Sequence, residues 1–506
     1  METNLREMEL AREAYWLRYQ RTAPIRLRWR AITVRHCFHV LPGEKILELG
    51  AGSGLWTEHL STATKGECPI TAVAFNKDLA DQARAKAIPN TTVVEVDDLL
   101  RDLKGQQFDY IVGAAILSHD RYPESLHALY RLLKPGGQIL FFEANFWNPQ
   151  VFLKSVVPAI GKWAGHAKCQ VGIRKFRLMK TASHEGFTHL EVTPFDIIHP
   201  LAPRRLIRAL HSFAFIAEHA PLLRELCGTL YIWGKKPGER ETLLPRDGLA
   251  VHRQLFGSIS FVVPCHNEAM NIPHLVDSIV RFYDPYIHEI LIVNDNSKDR
   301  TAQVTRDIAE QEPRVRLVDR KPPNGVGRAL RDGYAAATGQ YILTMDADFV
   351  LILPEFRDLF DAIAEGADGA MGSRFSHESV LINYPFVKIL CNRSFHLLVQ
   401  FVLPGVRDVS NNLKLFRAQI LKELIIDEPH FAANAETGLK PLLGGYKIKE
   451  VPISWINRTT DMGVSSFKIV KVAPDYFIAL LRILWNAWRH RHGLRKPVAA
   501  PKVSGI

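Results

Sequence analysis

The sequence is poor in cysteine, and its cysteines fall in no pattern that would hold a metal or staple a fold. The six, Cys37, Cys68, Cys169, Cys227, Cys265 and Cys391, are scattered and include no CxxC pair. This excludes the usual zinc-ligand spacings and the disulfide scaffolds of small secreted domains. Long hydrophobic runs are also missing. Nowhere do 18 uncharged apolar residues follow one another, so no single-pass anchor is expected. Met1 to Leu10 is polar and of mixed charge, without the apolar core of a secretory leader. Heptads, collagen triplets and short tandem repeats are absent as well. A reduced, cytoplasmic setting is the expectation.

What is present is ample for packed domains. The chain has 506 residues, 47% hydrophobic and 23% charged, which suits two or three globular domains. The formal charge is +11, which admits nucleic acid, an anionic membrane or phosphorylated small molecules as partners. The basic residues gather in three runs: Arg18, Arg21, Arg26, Arg28, Arg30 and Arg35; Lys168, Arg174, Lys175, Arg177 and Lys180; and Arg489, Arg491, Arg495 and Lys496. Each run also reads as an ordinary solvated surface. None carries an RNA-type aromatic motif or a helix-turn-helix, so no nucleic-acid partner is expected.

Two strands running into polar or glycine-rich turns open the two halves: Lys45-Ile46-Leu47-Glu48-Leu49-Gly50 and Ile259-Ser260-Phe261-Val262-Val263-Pro264. Each starts a series of apolar strands alternating with helical stretches, the pattern of a parallel α/β sheet. The polar, Pro/Gly-punctuated stretch from Lys235 to Thr242 reads as part of a connection. The expected division is a domain at 1–238 with an insertion at 151–180, a linker at 239–256, a domain at 257–475 and a helical basic tail at 476–506.

In the second half, Ile259–Val263 leads into Pro264-Cys265-His266-Asn267-Glu268, and Glu289–Val293 leads into Asn294-Asp295-Asn296-Ser297-Lys298-Asp299. Ligands of open α/β sheets bind at this carboxyl edge. Asp295 is a candidate acceptor for a ribose or a base. Asp299 is better suited to capping the following helix. The strand Gln340–Thr344 ends in Met345-Asp346-Ala347-Asp348. In an extended chain Asp346 and Asp348 share one side. Two adjacent carboxylates repel unless a cation lies between them, and a hard divalent ion with a diphosphate completing its shell suits them. A loop-opening Asp followed by a cap is the competing reading.

In order along the chain, Val263–Glu268, Val293–Thr301, Asn324-Gly325-Val326-Gly327-Arg328, Met345–Asp348, Gly372-Ser373-Arg374-Phe375 and Glu450-Val451-Pro452-Ile453 resemble family 2 glycosyltransferases, specifically the polyprenyl-phosphate (dolichol-phosphate) sugar synthases, over roughly 258–470. The resemblance implies a GT-A fold, inversion at the anomeric carbon, a nucleotide-sugar donor, and Mg or Mn at Asp346 and Asp348. It implies nucleoside contacts from Pro264, Glu268 and Asp295, a phosphate neighbour in Arg374, and acceptor-phosphate contacts from Lys388 and Arg393. Three positions depart from the family: Asn294 in an acidic pair, Val350 where a metal-binding glutamine is common, and Ser410-Asn411-Asn412-Leu413 near the acceptor. Glu436 falls where relatives carry an acidic base. A sugar hydroxyl acceptor would need that base, whereas a phosphate acceptor would leave Glu436 structural.

In the first half, Glu48-Leu49-Gly50-Ala51-Gly52-Ser53-Gly54, the strand Phe108–Val112, the turn Lys134-Pro135-Gly136-Gly137 and a closing strand at Leu230–Lys235 resemble class I S-adenosylmethionine-dependent methyltransferases over 40–235. Together the halves read as α/β, two doubly wound domains: a Rossmann-like methyltransferase fold, then the GT-A fold. The resemblance implies cofactor contacts from Glu48, Gly50, Gly52 and Gly54, with Asp97 or Asp98 by the adenine. The acid that should end the second strand is Ala74, and Asn76 is the candidate substitute. His119 stands where a base could lie.

Near the end, Phe477, Leu480, Leu481, Leu484, Trp485 and Trp488 make one apolar helical face. Flanked by arginines, that face suits an anionic membrane surface, at the inner side of a membrane. Packing on the domain's own core is the alternative. The expected function is metal-dependent sugar transfer to a lipid phosphate or membrane-linked glycan, together with methyl transfer in the same pathway. The alternative is glycosyl transfer alone, with the first domain a degenerate scaffold.

Overall fold

The computed structural model describes residues 2–117, 122–163, 172–198, 202–203, 214–239, 251–348, 355–376, 378–382, 384–456 and 469–491. The chain forms two compact units, Met1–Leu244 and Pro245–Ile506.

The first unit opens with helices Glu2–Arg18 and Ala23–Phe38. Its strands are β1 (Ile46–Leu49), β2 (Ile70–Ala74), β3 (Thr91–Glu95), β4 (Phe108–Ala114), β5 (Leu133–Ala144), β6 (Thr188–Phe195) and β7 (Thr229–Lys235). They make one seven-stranded sheet in the order β3-β2-β1-β4-β5-β7-β6. β1 to β5 run parallel, and β7 runs antiparallel to both neighbours. β1 and β4 are buried along their whole length, as strands covered on both faces must be, and this is why they are apolar except at Glu48 and Asp109. The order reverses between β1 and β4, which opens a crevice beyond their carboxyl ends. The first basic run is partly turned inward: Arg26 and Arg30 are buried, and their guanidinium nitrogens lie 2.6 and 3.5 Å from Asp196 Oδ2.

The second unit carries β8 (Ile259–Cys265), β9 (Ile287–Asn294), β10 (Val315–Asp319), β11 (Tyr341–Thr344), β12 (Gly369–Ser373), β13 (Val380–Ile382), β14 (Lys414–Arg417), β15 (Ile448–Pro452) and β16 (Ser454–Ile456). The main sheet runs β10-β9-β8-β11-β14-β12-β15, with β13 and β16 paired beside it. β8 lies between β9 and β11, parallel to both, and β14 is antiparallel. The reversal at β8 and β11 puts a crevice where Pro264–Glu268 and Asp346–Asp348 emerge.

One close approach fixes this unit's geometry. A Cβ on Gly327, at the start of the helix Val326–Ala336, would lie 2.1 Å from the Glu428 carbonyl oxygen. Because the obstacle is backbone, Gly327→Ala is expected to cost about 2–3 kcal/mol, read as a lower denaturant midpoint for the full chain.

The last helix, Ile469–Arg491, begins before the expected 476 and continues through Pro474. Its apolar residues lie on two sides. Ala479, Leu480 and Ile483 are buried, whereas Phe477, Ile478, Leu481 and Trp485 are exposed. The single stripe expected from spacing is therefore divided between the core and the surface.

Candidate active sites

At the carboxyl edge of the second sheet, the backbone after β11 alternates. Met345 and Ala347 are buried, and Asp346 and Asp348 are half-buried. Asp346 Oδ1 accepts from Asn412 Nδ2 at 2.9 Å. The loop after β8 approaches the same place. The Cys265 thiol is pushed well above its ordinary range, first by burial and then by the charges of Glu268, Asp346, Asp299 and Asp348. Carboxylates from three separate loops thus converge on the end of β8. Among the described residues no group of three or more His, Cys, Asp or Glu is arranged to hold a metal. Asp346 and Asp348 fit a hard cation by donor chemistry, with the remaining ligands left to a diphosphate or water.

Glu268 Oε2 accepts from Asn271 Nδ2 at 2.5 Å, and its backbone N–H donates to Thr301 Oγ1 at 3.0 Å. Asp299 accepts from Thr301 N at 3.0 Å and Ala269 N at 3.1 Å, which ties the two loops together. Asp295 is buried. It accepts from Gly325 N at 2.7 Å and pairs with Arg320.

In the first unit, Gly50, Gly52 and Gly54 all have positive φ, at 68°, 57° and 78°. An L-residue adopts such angles only under strain, so these glycines are what permits the turn. Glu48 is buried at its foot, and burial pushes its carboxyl up to about 7. Thr57 hydrogen-bonds to the Glu48 carboxylate, and Trp56 Nε1 is buried without a hydrogen-bond partner. The loop's outward backbone groups are occupied by the helix Glu2–Arg18. Gly52 N donates to Glu9 Oε1 at 3.0 Å, Ser53 N to Glu13 Oε2 at 3.4 Å, and Arg12 donates to Gly50 O.

Residues 260–425 match the family model for glycosyl transferase family 2, and residues 46–137 match the model for a methyltransferase domain. The polyprenol monophosphomannose synthase of Mycolicibacterium smegmatis is 28% identical over 242 residues, 45% of this chain and 87% of that one. The dolichol-phosphate mannosyltransferase of Pyrococcus furiosus is 27% identical over 201 residues, 39% of this chain and 56% of that one. Among solved structures, a methyltransferase from Thermotoga maritima covers 46% of this chain and 99% of its own, at 17% identity and a TM-score of 0.33. The glucosyl-3-phosphoglycerate synthase of Mycobacterium tuberculosis covers 48% of this chain and 85% of its own, at 20% identity and a TM-score of 0.38. One segment of this chain thus matches a methyltransferase domain and a later one matches glycosyl transferase family 2.

In the glycosyltransferase domain, several residues expected to meet ligand are committed to protein. Arg374 is buried and donates to Asp408 through Nε at 2.7 Å and Nη2 at 3.0 Å, and to Ser410 Oγ at 2.8 Å. Arg393 is buried and donates to Arg407 O at 3.2 Å. Lys388 is half-buried, five residues earlier on the helix Phe386–Gln400, about 140° round the helix from Arg393. Asp295, expected at a base or ribose, holds the Gly325 turn and Arg320. Of the two readings of Glu436, the geometry supports the structural one. Its side chain is 0% exposed, Oε2 accepts from Glu428 N at 2.8 Å, and Lys440 Nζ lies 2.9 Å from Oε1. Glu436→Gln is expected to lower stability by about 1–3 kcal/mol, with sugar transfer per folded molecule within a few-fold of the parent. A general base in this role would lose about 10²-fold or more. Val350 lies outside the described residues.

Sequence reading missed Asp408, His396 and Lys414, and it placed Asn412 near the acceptor without its bond to Asp346. Lys414 is buried in β14. Burial pulls its amine down to about 7, and Nζ donates to Asn434 O at 2.6 Å and Thr437 Oγ1 at 2.8 Å. A lysine inside a four-residue strand that is otherwise apolar or edge-facing was the available signal.

In the methyltransferase domain, Asn76 is buried and its side chain accepts from Leu79 N at 3.1 Å as the cap of the helix Lys77–Ala85. Asp98 likewise caps Leu99–Asp102, accepting from Arg101 N at 2.8 Å, and Asp97 is exposed. Both cap roles are local. His119 lies outside the described residues. With the glycine loop engaged by Glu9, Arg12 and Glu13, the residues do not fit S-adenosylmethionine in the conformation described.

Proposed function

We propose that the glycosyltransferase domain moves a sugar from a nucleotide-sugar donor to a polyprenyl phosphate or membrane-linked glycan, with Mg or Mn held by Asp346 and Asp348. The convergence of Glu268, Asp346 and Asp348 at the end of β8, where the sheet order reverses, carries this reading. When bound there, a divalent ion supplies charge stabilisation to a departing nucleoside diphosphate. The loops after β8 and β9, tied by Asp299 and Thr301, form the wall for the nucleoside. Asn412 holds Asp346 in orientation.

The acceptor class rests on the relatives, named for polyprenol and dolichol-phosphate mannosyl transfer, and on the surface. Phe477, Ile478, Leu481 and Trp485 are exposed on the last helix, and Leu397, Leu398 and Phe401 on and just beyond Phe386–Gln400. Apolar side chains of this kind suit peripheral docking at the inner face of an anionic membrane. Among the described residues no helix is long and apolar enough to cross one.

The methyltransferase domain, in this reading, would take S-adenosylmethionine for a component of the same glycan or glycolipid pathway only once the helix Glu2–Arg18 has left the glycine loop. A second reading makes it a scaffold, and the occupation of its glycine loop by its own helix favours that reading. The test is a nucleotide-sugar panel with manganese, with and without polyprenyl phosphate, following released nucleoside diphosphate. One donor is expected to be consumed, faster with the lipid. No consumption of any donor, with or without the lipid, sinks the proposal.

A further inference from the structure

The helix Glu2–Arg18 buries a charged face. Glu9, Arg12 and Glu13, spaced i, i+3 and i+4, share one side of it and are 0%, 8% and 6% exposed. Apolar neighbours Leu5, Met8 and Trp16 are buried with them. Charged side chains are seldom taken out of water without partners that satisfy them, and here the partners are backbone groups at the sheet's crevice together with the Ser53 hydroxyl, which donates to Glu13 Oε1.

The pairing has a definite polarity. Two carbonyl oxygens, Gly50 O and Ala114 O, accept from Arg12, the second at 2.9 Å. Three N–H groups face carboxylates: Gly52 N and Phe75 N donate to the two oxygens of Glu9 at 3.0 and 2.9 Å, and Ser53 N donates to Glu13 Oε2 at 3.4 Å. The contact is made where the missing side chains of the glycines allow it. A Cβ on Gly52 would lie 2.6 Å from Glu13 Oε2, and one on Gly50 would lie 2.9 Å from Arg12 Nη1. Glu9 also stands beyond β2, just past Ala74, where the sequence lacks the expected acid.

S-adenosylmethionine offers the same chemistry to such a loop. Its ammonium seeks carbonyl oxygens, and its carboxylate and ribose oxygens seek N–H donors. The helix brings a cation to the carbonyls and carboxylates to the N–H groups. We propose that the helix Glu2–Arg18 is an intramolecular competitor of the cofactor, which closes the methyltransferase domain until it swings away about the turn at residues 19–22. The inference rests on reading the Gly50–Gly54 loop as the cofactor site. Release of the helix would couple methyl transfer to whatever binds or displaces the N-terminus.

The linkage is quantitative. A site open in only a fraction of molecules binds with an apparent Kd raised by the inverse of that fraction. The test compares the full chain with a triple variant, Glu9→Ala, Arg12→Ala and Glu13→Ala, and with the milder Arg12→Gln in case the triple variant does not fold. Calorimetry with S-adenosylmethionine gives affinity, and hydrogen exchange gives protection at Gly52, Ser53 and Phe75. The expected result is about tenfold or greater tightening, with faster exchange of those amides in the variants. Equal or weaker binding in the variants overturns the proposal, and so does finding those amides already unprotected in the parent. If the amides are released and S-adenosylmethionine still does not bind at millimolar concentration, the cofactor reading itself has failed, and the proposal falls with it.

Discussion

Replacing Asp346 by asparagine is expected to slow release of nucleoside diphosphate by roughly 10²–10³-fold, the equivalent of about 3–4 kcal/mol of lost charge stabilisation. The substitution keeps size and shape, and an amide oxygen can still accept from Asn412 Nδ2, now 2.9 Å from Asp346 Oδ1. Folding should therefore be spared. What is lost is one negative charge at a place already crowded with carboxylates, where Glu268, Asp346, Asp299 and Asp348 all act on the Cys265 thiol. A neutral amide is a poor ligand for a hard cation, so the manganese concentration for half-maximal rate should rise as well. Asp348→Asn is expected to act in the same direction. Initial rates over a manganese series, with melting checked in parallel, decide the matter. Rates unchanged at low manganese would remove Asp346 from the metal assignment.

Asp408→Asn is expected to cost the chain about 3–5 kcal/mol, because it leaves a buried guanidinium without its counter-charge. Asp408 is 0% exposed and accepts from Arg374 Nε at 2.7 Å, Nη2 at 3.0 Å and backbone N at 3.0 Å. Ser410 donates to it twice, from N at 3.1 Å and Oγ at 3.0 Å. An asparagine accepts with one oxygen and cannot neutralise Arg374. The double variant Arg374→Met with Asp408→Asn removes the stranded charge and should regain part of the loss. Denaturant midpoints of the full-length chains are the measurement.

The neighbouring imidazole gives this network a pH signature. His396 lies beside Asp408, accepting from Val409 N at Nε2 (2.9 Å), while Nδ1 faces Asn392 O at 2.7 Å. Burial is the main cause holding it down at about 4, against an ordinary value of about 6.5. The unfolded chain therefore binds the proton first, so stability is full above about pH 6.5 and is lost as pH falls toward 4. The Asp408 carboxyl is also held below its ordinary range: burial pushes it up, but Arg374 pulls it down further. Its contribution is lost only on further acidification.

Much of the architecture was legible because its signals are local. β1, β4, β8 and β9 are largely buried and read as mainly apolar runs. Gly50, Gly52 and Gly54 announce a turn with positive φ. The alternation at Met345-Asp346-Ala347-Asp348 survives as buried, half-buried, buried, half-buried. Asp299 was read as a cap and does accept from Thr301 N. The last helix was legible as apolar, but spacing does not say which apolar side meets the core. Leu480 and Ile483 went inward, and Phe477 and Trp485 stayed out.

Sequence alone determined that two α/β units lie in series, with a glycine turn after the first strand of one and acidic loops after the strands of the other, since burial of a parallel strand and the conformational needs of a turn leave marks within a few residues. Only the tertiary structure decided what the charged groups do. Arg374 meets Asp408 from 34 residues away, Asp295 is taken by Arg320, Glu436 by Lys440, and the glycine loop by a helix some 40 residues upstream. A charge acts through space and through the solvent it loses, and neither its partner nor its burial is fixed until the chain has folded around it.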